Sequence, residues 1–211
     1  VMQTTFPRLM LKHAAERPSA PALREKEYGI WQTTSWSDLA TMVESIACGL
    51  HQAGLQRGEH LVIVGSNRPR LSATMLAAQS LGAIPVNLYQ DAAAPECVYP
   101  MSNAEVRFAV VEDQEQVDKM LEVREQYAQL THIFYDDPRG LRKYTEDGLG
   151  GLEELMAAGS VFAKQHPQFF KEEVEKAQSA DVAAMFFTSG TTGNPKGCLL
   201  YTSPSPRDAH E

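Results

Sequence analysis

Cysteine, basic charge and long apolar runs are all scarce in this sequence. The three cysteines, Cys48, Cys97 and Cys198, show no CxxC spacing, which argues against a disulfide framework and a cysteine-based zinc site. With 19 basic and 27 acidic residues the net charge is -8, so no basic field attracts a nucleic-acid backbone. No segment approaches the ~20 apolar residues that span a bilayer. We therefore expect a soluble, cytoplasmic protein without a nucleic-acid partner.

The residue patterns of several common catalytic chemistries are missing as well. The six histidines show no metal-ligand spacing, and no GxSxG motif offers a serine nucleophile. Cys48 falls on the apolar side of a predicted helix, where we expect a buried and unreactive thiol. Gly148, Gly150 and Gly151 do not form a GxGxxG motif after a strand, so we interpret them as a flexible segment that leads into a helix. No metal bound by side chains is predicted.

The first part of the chain predicts a helix, a hairpin and a second helix. Residues 5–17 have a helical apolar pattern that stops before Pro18. Two short strand-like runs flank Glu27-Tyr28-Gly29, which indicates a β-hairpin. The second helix is capped by Ser35 or Ser37 and continues until a glycine ends it.

From His60 onward, short apolar runs alternate with helical patterns. Such alternation predicts a parallel sheet whose strands are covered by helices on both faces. A helix is expected over residues 95–104, and because Pro100 lies inside it, this helix is predicted to be short or kinked. The strand-like runs are residues 61–64, 84–88, 108–111, 133–135 and 182–187. The predicted fold class is therefore α/β, with a doubly wound, largely parallel sheet.

A strong chemical signal follows the last of these runs. Residues 188–197 read Thr-Ser-Gly-Thr-Thr-Gly-Asn-Pro-Lys-Gly, which combines hydroxyls, glycines and one lysine directly after a buried strand. Glycines let backbone amides approach an anion, hydroxyls donate further hydrogen bonds, and the lysine adds positive charge, so the segment is typical of a polyphosphate site. It is not a Walker A loop, because Pro195 precedes Lys196 and Gly197 follows it. A structural loop that joins two strands is the alternative.

These ten residues resemble the phosphate-binding loop of the AMP-forming acyl-CoA synthetase and adenylation-domain superfamily. Further stretches are similar to its bacterial long-chain fatty-acid CoA ligase branch, and they lie in the family's order along the chain. These stretches are residues 28–33, 65–69, 112–119 and 137–142. The resemblance covers nearly all of residues 3–197, which is less than half of a complete family member. It implies that the chain is the first part of the N-terminal domain of an adenylate-forming enzyme.

The resemblance also implies a two-step reaction. A fatty carboxylate attacks the α-phosphate of ATP and releases pyrophosphate, and the thiol of CoA then displaces AMP. No residue of this chain is implied to be catalytic, and Mg²⁺ would bind to a residue outside it. The implied ATP-phosphate contacts are Thr188, Ser189, Gly190, Thr191, Thr192, Gly193 and Lys196. An adenylation domain that loads a carrier protein, and a nucleotide-phosphate-binding module without catalysis, are the alternatives.

The end of the chain departs from the family pattern. Residues 198–208 resemble the translation of a transposase-library sequencing adapter, so we expect residues 1–197 to be a partial AMP-binding domain and residues 198–211 a non-native tail. On this interpretation the chain alone is inactive, and Met185, Phe186 and Phe187 lie along an unpaired sheet edge. The resemblance implies ATP, fatty acid and CoA as small-molecule substrates, and we expect a peripheral contact with a membrane but no membrane-spanning segment.

Overall fold

The computed structural model describes residues 4–178, 180–188 and 195–201. The helices and strands alternate through most of this range, as the apolar pattern predicts. The helices are α1 (Phe6–Glu16), α2 (Trp36–Gln52), α3 (Pro69–Ser80), α4 (Ala94–Asn103), α5 (Gln114–Gln126), α6 (Leu152–Gln165) and α7 (Phe169–Lys176). The strands are β1 (Pro21–Glu27), β2 (Ile30–Ser35), β3 (His60–Val64), β4 (Ile84–Leu88), β5 (Phe108–Val111), β6 (His132–Tyr135), β7 (Leu149–Gly151), β8 (Val182–Thr188) and β9 (Lys196–Tyr201).

The ends of the first elements follow from capping chemistry. Thr5 caps α1, and Ser35 caps α2 through a reciprocal pair of hydrogen bonds with Asp38, so the first of the two predicted serines is the cap. Between these helices, β1 and β2 form the predicted antiparallel hairpin. Its two-residue turn has positive φ at both positions, 46° at Tyr28 and 82° at Gly29, which matches the twist of a hairpin.

A seven-stranded sheet forms the centre of the chain, in the order β7-β6-β5-β3-β4-β8-β9. Every neighbouring pair is parallel except β8 and β9, which run antiparallel. The predicted α/β fold with a largely parallel sheet is therefore confirmed.

The two faces of this sheet carry separate cores, because successive side chains of a strand point to opposite faces. In β3, Leu61 and Ile63 belong to the core that α2, α3, α6 and α7 cover. Val62 and Val64 belong to the core under α4 and α5. Because helices lie on both faces, the sheet is doubly wound. The helix α4 is ten residues long and contains the buried Pro100, so the helix predicted over residues 95–104 is present with the proline inside it.

Two expectations about the sheet need correction. Gly150 and Gly151 do lead into a helix, since Gly151 is the N-cap of α6, but they lie in a strand rather than in a flexible segment, because β7 pairs through its backbone with β6. The outer edge of β8 is not unpaired, since β9 pairs along it from Val182 to Thr188 and Met185 is buried. Residues 198–201 of the predicted tail thus lie in β9, whereas residues 202–211 lie outside the described residues.

Within the described part of the chain, no helix combines the length and the apolar character that crossing a membrane requires.

Candidate functional site

The segment predicted to bind phosphate begins and ends on two paired strands. Thr188 is the last residue of β8 and Lys196 is the first residue of β9, and the two residues face each other in the ladder. The Thr188 hydroxyl donates a hydrogen bond to the Lys196 carbonyl over 3.5 Å. The structure therefore brings the first and last predicted phosphate contacts side by side. Ser189, Gly190, Thr191, Thr192 and Gly193 lie outside the described residues, so their contacts stay a prediction.

Lys196 is positioned as a free positive charge. Its side chain is exposed and forms no ion pair with any residue that the structure describes. The next residue, Gly197, packs closely on β8: a Cβ atom there would lie 2.4 Å from the terminal methyl of Met185. The close packing lets β9 leave the loop directly alongside β8. A lysine without an acidic partner is available to an anionic ligand.

The end of β8 lies at the carboxyl edge of the parallel sheet, because β8 runs parallel to β4. Ligands of doubly wound sheets bind outside this edge, where the connections of neighbouring strands leave to opposite faces. That condition holds around β3. The helix α3, which follows β3, covers one face of the sheet, whereas α4 and α5, which precede and follow the neighbouring strand β5, cover the other face. The carboxyl end of β3 is therefore the expected place for a ligand cleft.

A cleft of about 310 Å³ lies between the ends of β3, β4 and β8. Phe186 of β8, two residues before Thr188, forms part of its wall, so the cleft adjoins the strand that leads into the predicted phosphate loop. Its lining mixes apolar and amide or hydroxyl side chains: Ile63, Gly65, Ser66, Asn67, Leu71, Ser72, Met75, Asn87, Leu88 and Phe186. Such a lining suits a ligand with both apolar and polar parts.

The loop after β3, residues 65–68, is held by one carboxylate. Glu112, which follows β5, accepts hydrogen bonds from the Ser66 amide (2.6 Å) and from Arg68 Nε (2.9 Å). Burial disfavours the charged carboxylate, but these hydrogen bonds outweigh it and hold the pKa of Glu112 below its usual value. At Gly65, φ is +157° and a Cβ would lie 2.5 Å from the Leu71 side chain, so the loop requires glycine there.

A second cleft, of about 370 Å³, lies on the other side of β3, at the ends of β5 and β6. It is strongly charged. Arg70 bonds to Asp136 over 3.2 Å, and burial raises the pKa of Asp136 although Arg70 opposes this effect. Arg139 Nε bonds to both oxygens of Asp137. The lining residues are Glu25, Glu27, Tyr28, Arg68, Pro69, Arg70, Glu112, Asp136, Asp137, Pro138 and Arg139.

Sequence reasoning did not identify these two clefts, although a signal for them was present. Polar residues follow each of three consecutive strands of the sheet: Ser66 and Asn67 after β3, Glu112 after β5, and Asp136 and Asp137 after β6. Because the carboxyl ends of parallel strands meet at one edge, such residues are expected to lie together. In the sequence, residues 65–69, 112–119 and 137–142 are distinguished only by their resemblance to the family.

Burial shifts the pKa of several residues to which the sequence assigns no site role. Cys48 is fully buried, and burial with the nearby Glu44 raises the pKa of its thiol to about 12, so it is unreactive. Burial lowers the pKa of His60 and His132, and His132 stacks on Phe108 at 4.5 Å. Within residues 4–178, 180–188 and 195–201, no group of three or more His, Cys, Asp or Glu residues could hold a metal ion.

Comparison with protein families decides the class of this chain. The family model described as AMP-binding enzyme matches residues 10–203. The chain belongs to the AMP-binding enzyme family. The match includes both clefts and the whole segment from Thr188 to Gly197.

Curated relatives include long-chain-fatty-acid–CoA ligases. The chain is 30% identical over 198 residues to ACSBG2 of Mus musculus, covering 93% of the chain and 29% of that protein. It is 24% identical over 195 residues to FadD15 of Mycobacterium bovis, covering 92% of the chain and 31% of that protein. The chain thus spans about a third of the length of these relatives.

Solved structures with the same fold include CoA ligases and synthetases for other acids. The anthranilate CoA ligase AuaEII in complex with anthranoyl-AMP superposes with a TM-score of 0.77 and 18% identity, over 96% of this chain and 35% of that one. The acetoacetyl-CoA synthetase from Streptomyces lividans gives a TM-score of 0.78 and 22% identity, over 95% and 30%. At these identities the similarity establishes the fold as that of an adenylate-forming N-terminal domain.

Proposed function

We propose that this chain is the N-terminal part of an ATP-dependent, AMP-forming fatty-acid CoA ligase with a preference for long acyl chains. The observation that carries the proposal is the pairing of Thr188 with Lys196 at the carboxyl edge of the sheet, beside the cleft between β3, β4 and β8. The family match and the names of the curated relatives support it. Residues 1–197 form the family domain in this proposal, and residues 198–211 a non-native tail.

The proposed reaction has two half-reactions. In the first, the fatty carboxylate attacks the α-phosphate of ATP, which forms an acyl-adenylate and releases pyrophosphate. In the second, the thiol of CoA attacks the acyl carbon and releases AMP. Charge accumulates on the pyrophosphate only in the first half-reaction, so groups that hold the β and γ phosphates act there.

Thr188 and Lys196 are the described residues to which we assign phosphate contacts. The exposed Lys196 would neutralise charge on the leaving pyrophosphate. The Thr188 hydroxyl has one donor hydrogen, so it would exchange its 3.5 Å bond to the Lys196 carbonyl for a bond to a phosphate oxygen. Between them, Ser189, Gly190, Thr191, Thr192 and Gly193 would complete the loop. All of these groups position and stabilise; none acts as a nucleophile.

ATP and CoA enter this proposal as substrates. Mg²⁺ would accompany ATP, but the described residues contain no cluster of ligands for it, and no step assigned to them passes through a metal. We propose a cytoplasmic location, because ATP and CoA are both available there. A peripheral contact with a membrane surface would give access to fatty acids, which partition into lipid.

The preference for long chains has a physical scale. Each methylene group buried in an apolar channel contributes ~0.8 kcal/mol, so selectivity increases roughly fourfold per methylene until the channel is full. A ligase with such a channel uses acetate very poorly.

A chain-length series tests the proposed substrate class. The full-length protein that carries this chain is assayed for acid-dependent exchange of pyrophosphate into ATP with fatty acids of increasing length, and with acetate, acetoacetate and anthranilate. We expect kcat/KM to increase with chain length towards long acids. If kcat/KM were highest for acetate, acetoacetate or anthranilate, the proposed adenylation reaction would still hold but the long-chain assignment would be refuted. No exchange with any acid would refute the enzymatic proposal itself.

A further inference from the structure

The two faces of the β1–β2 hairpin have opposite characters. On the inner face, Leu23 packs against the core and Glu25 forms an ion pair with Arg68 at 3.5 Å. On the outer face, Lys26 lies opposite Trp31, and Arg24 lies opposite Thr33. Because alternate residues of a strand share a face, these four side chains form one surface, and all four are exposed. We call this surface the outer hairpin face.

The charge of the outer hairpin face contrasts with that of the whole chain. The chain carries a net charge of -8, yet this face presents two cations and no acid. Neither Arg24 nor Lys26 forms an ion pair within the part of the chain that the structure describes. Five other arginines do form ion pairs: Arg57, Arg68, Arg70, Arg107 and Arg139. The hairpin cations are thus available to an anionic surface.

Aromatic residues at the hairpin are exposed beyond what its folding needs. Trp31 is 64% exposed, whereas the other tryptophan, Trp36, is half-buried and packs on His13. Tyr28 is 88% exposed and occupies the first turn position with φ 46°, where asparagine or glycine would avoid the strain of a bulky residue. Tyr28 lines the charged cleft at the ends of β5 and β6, whereas the exposed Trp31 lines neither cleft and is available for a contact outside this chain.

We propose that the outer hairpin face docks the protein on an anionic lipid surface. An indole beside two cations is the combination that membrane interfaces favour: the ring lies at the headgroup level and the cations bind anionic headgroups. Exposed cations and an indole on one face can hold a protein against a bilayer surface without a spanning segment. The proposal rests on the peripheral membrane contact included in the proposed function, and it assigns that contact to Arg24, Lys26 and Trp31.

Vesicle co-sedimentation of the full-length protein tests the proposal. The vesicles consist of phosphatidylcholine alone, or of phosphatidylcholine mixed with an equal amount of phosphatidylglycerol. We expect the wild type to bind the mixed vesicles more tightly. The double variant Arg24→Glu/Lys26→Glu should bind them at least roughly thirtyfold more weakly, which corresponds to about 1 kcal/mol for each cation near an anionic surface. Trp31→Ala should weaken binding to them by roughly tenfold.

The matched control is Arg142→Glu/Lys143→Glu. These two adjacent cations are also exposed and without an ion pair among the described residues, and the control changes the net charge by the same amount. It should leave vesicle binding within roughly twofold, if a specific surface rather than total charge determines binding. Equal losses in both double variants would overturn the proposal, and so would wild-type binding that does not distinguish the two vesicles. If the wild type were a dimer, and Trp31→Ala dissociated it without changing vesicle binding, the outer hairpin face would be a contact with a second copy of the chain and the lipid proposal would be wrong.

Ligase activity separates this proposal from the proposed function. In detergent micelles, where no bilayer is needed, the hairpin variants should keep the wild-type rate of fatty-acid-dependent pyrophosphate exchange. A protein that binds vesicles through the hairpin but activates no fatty acid would refute only the proposed function. A protein that activates fatty acids but whose hairpin variants bind vesicles like the wild type would refute only the docking surface.

Discussion

Two glutamates with almost the same partners lie at opposite ends of the parallel sheet. At the amino end, Glu59 accepts hydrogen bonds from Arg107 (2.8 and 3.0 Å) and from the Gln56 amide (2.7 Å). At the carboxyl end, Glu112 accepts hydrogen bonds from Arg68 (2.9 Å) and from the Ser66 amide (2.6 Å). In both cases hydrogen bonds hold the pKa of the carboxyl below its usual value. The chemistry of the two groups is therefore nearly equal.

Their surroundings differ. Glu112 holds a loop that forms walls of both clefts, since Arg68 lines one and Ser66 lines the other. Glu59 lines neither cleft; its arginine lies over the Phe108 ring at 5.1 Å and covers the start of β5. The same ion-pair chemistry thus covers the core at the amino end of the sheet and holds the walls of two clefts at its carboxyl end. We expect changes at the amino end to affect stability alone, and changes at the carboxyl end to affect activity as well.

The largest expected effect is on stability, at the amino end. Phe108 is fully buried at the start of β5, so Phe108→Ala should reduce the free energy of unfolding by ~3–5 kcal/mol, measured by urea denaturation. The milder Phe108→Leu, expected to cost ~1–1.5 kcal/mol, covers the case in which the alanine variant does not fold. Per folded molecule, kcat and KM should stay at wild-type values. An increased KM in a stably folded Phe108→Leu variant would contradict the division between the two ends.

The next effect is on catalysis, at the carboxyl end. In the full-length enzyme, Lys196→Ala should slow adenylation by roughly ten- to a hundredfold, because one charge-assisted contact is worth ~1.5–3 kcal/mol. Thioester formation from supplied acyl-adenylate should be nearly unaffected, since no pyrophosphate is present in that step. Lys143→Ala is the control: it removes another exposed lysine, from a position outside the proposed loop. Equal damage to both half-reactions would mean that Lys196 supports the fold instead.

Much of the fold could be predicted because its signals are local. The caps at Thr5 and Ser35, the hairpin turn and the buried strands from His60 onward depend on residues close in sequence. The strand β9 was missed because residues 198–201 were interpreted as part of a non-native tail, although they pair with the preceding strand β8. The strand β7 was missed because its pairing with β6 is made by backbone groups. In β7 the residues are Leu149, Gly150 and Gly151, whose side chains carry almost no strand signal.

The site was predicted only in part, because its clefts depend on the order of strands. The sequence indicates an anion-binding segment after β8, but Glu112 and Ser66 are 46 residues apart and meet only because β5 lies beside β3. No local pattern contains that contact. The rule that parallel strands end at one edge would have predicted the neighbourhood of these residues, although not their hydrogen bonds.

A smaller effect combines stability and activity. Glu112→Gln should reduce the free energy of unfolding by about 1 kcal/mol, because it removes ionic hydrogen bonds whose strength is limited by the solvent exposure of Arg68. It should also raise the KM for substrate severalfold, because residues 65–68 are held less firmly. Because the folded pKa of Glu112 lies below its unfolded value, its stabilisation is complete above that value and lost as the pH falls through the folded pKa. The wild type and the variant should therefore converge in stability between pH ~6 and pH ~3. A constant difference across this range would show that Glu112 acts through its shape alone.

The smallest effect, Glu59→Gln, is the sharpest test of the comparison. The pair with Arg107 is more exposed, since the Glu59 side chain is 29% exposed against 16% for Glu112, so the loss should stay below about 1 kcal/mol. Its dependence on pH should have the same sign, because the Arg107 hydrogen bonds lower the pKa of Glu59. What should differ is the kinetics: kcat and KM should equal those of the wild type. If Glu59→Gln raised KM as much as Glu112→Gln, the loop at the carboxyl end would have no special part in binding, and both carboxylates would act only by holding the sheet together.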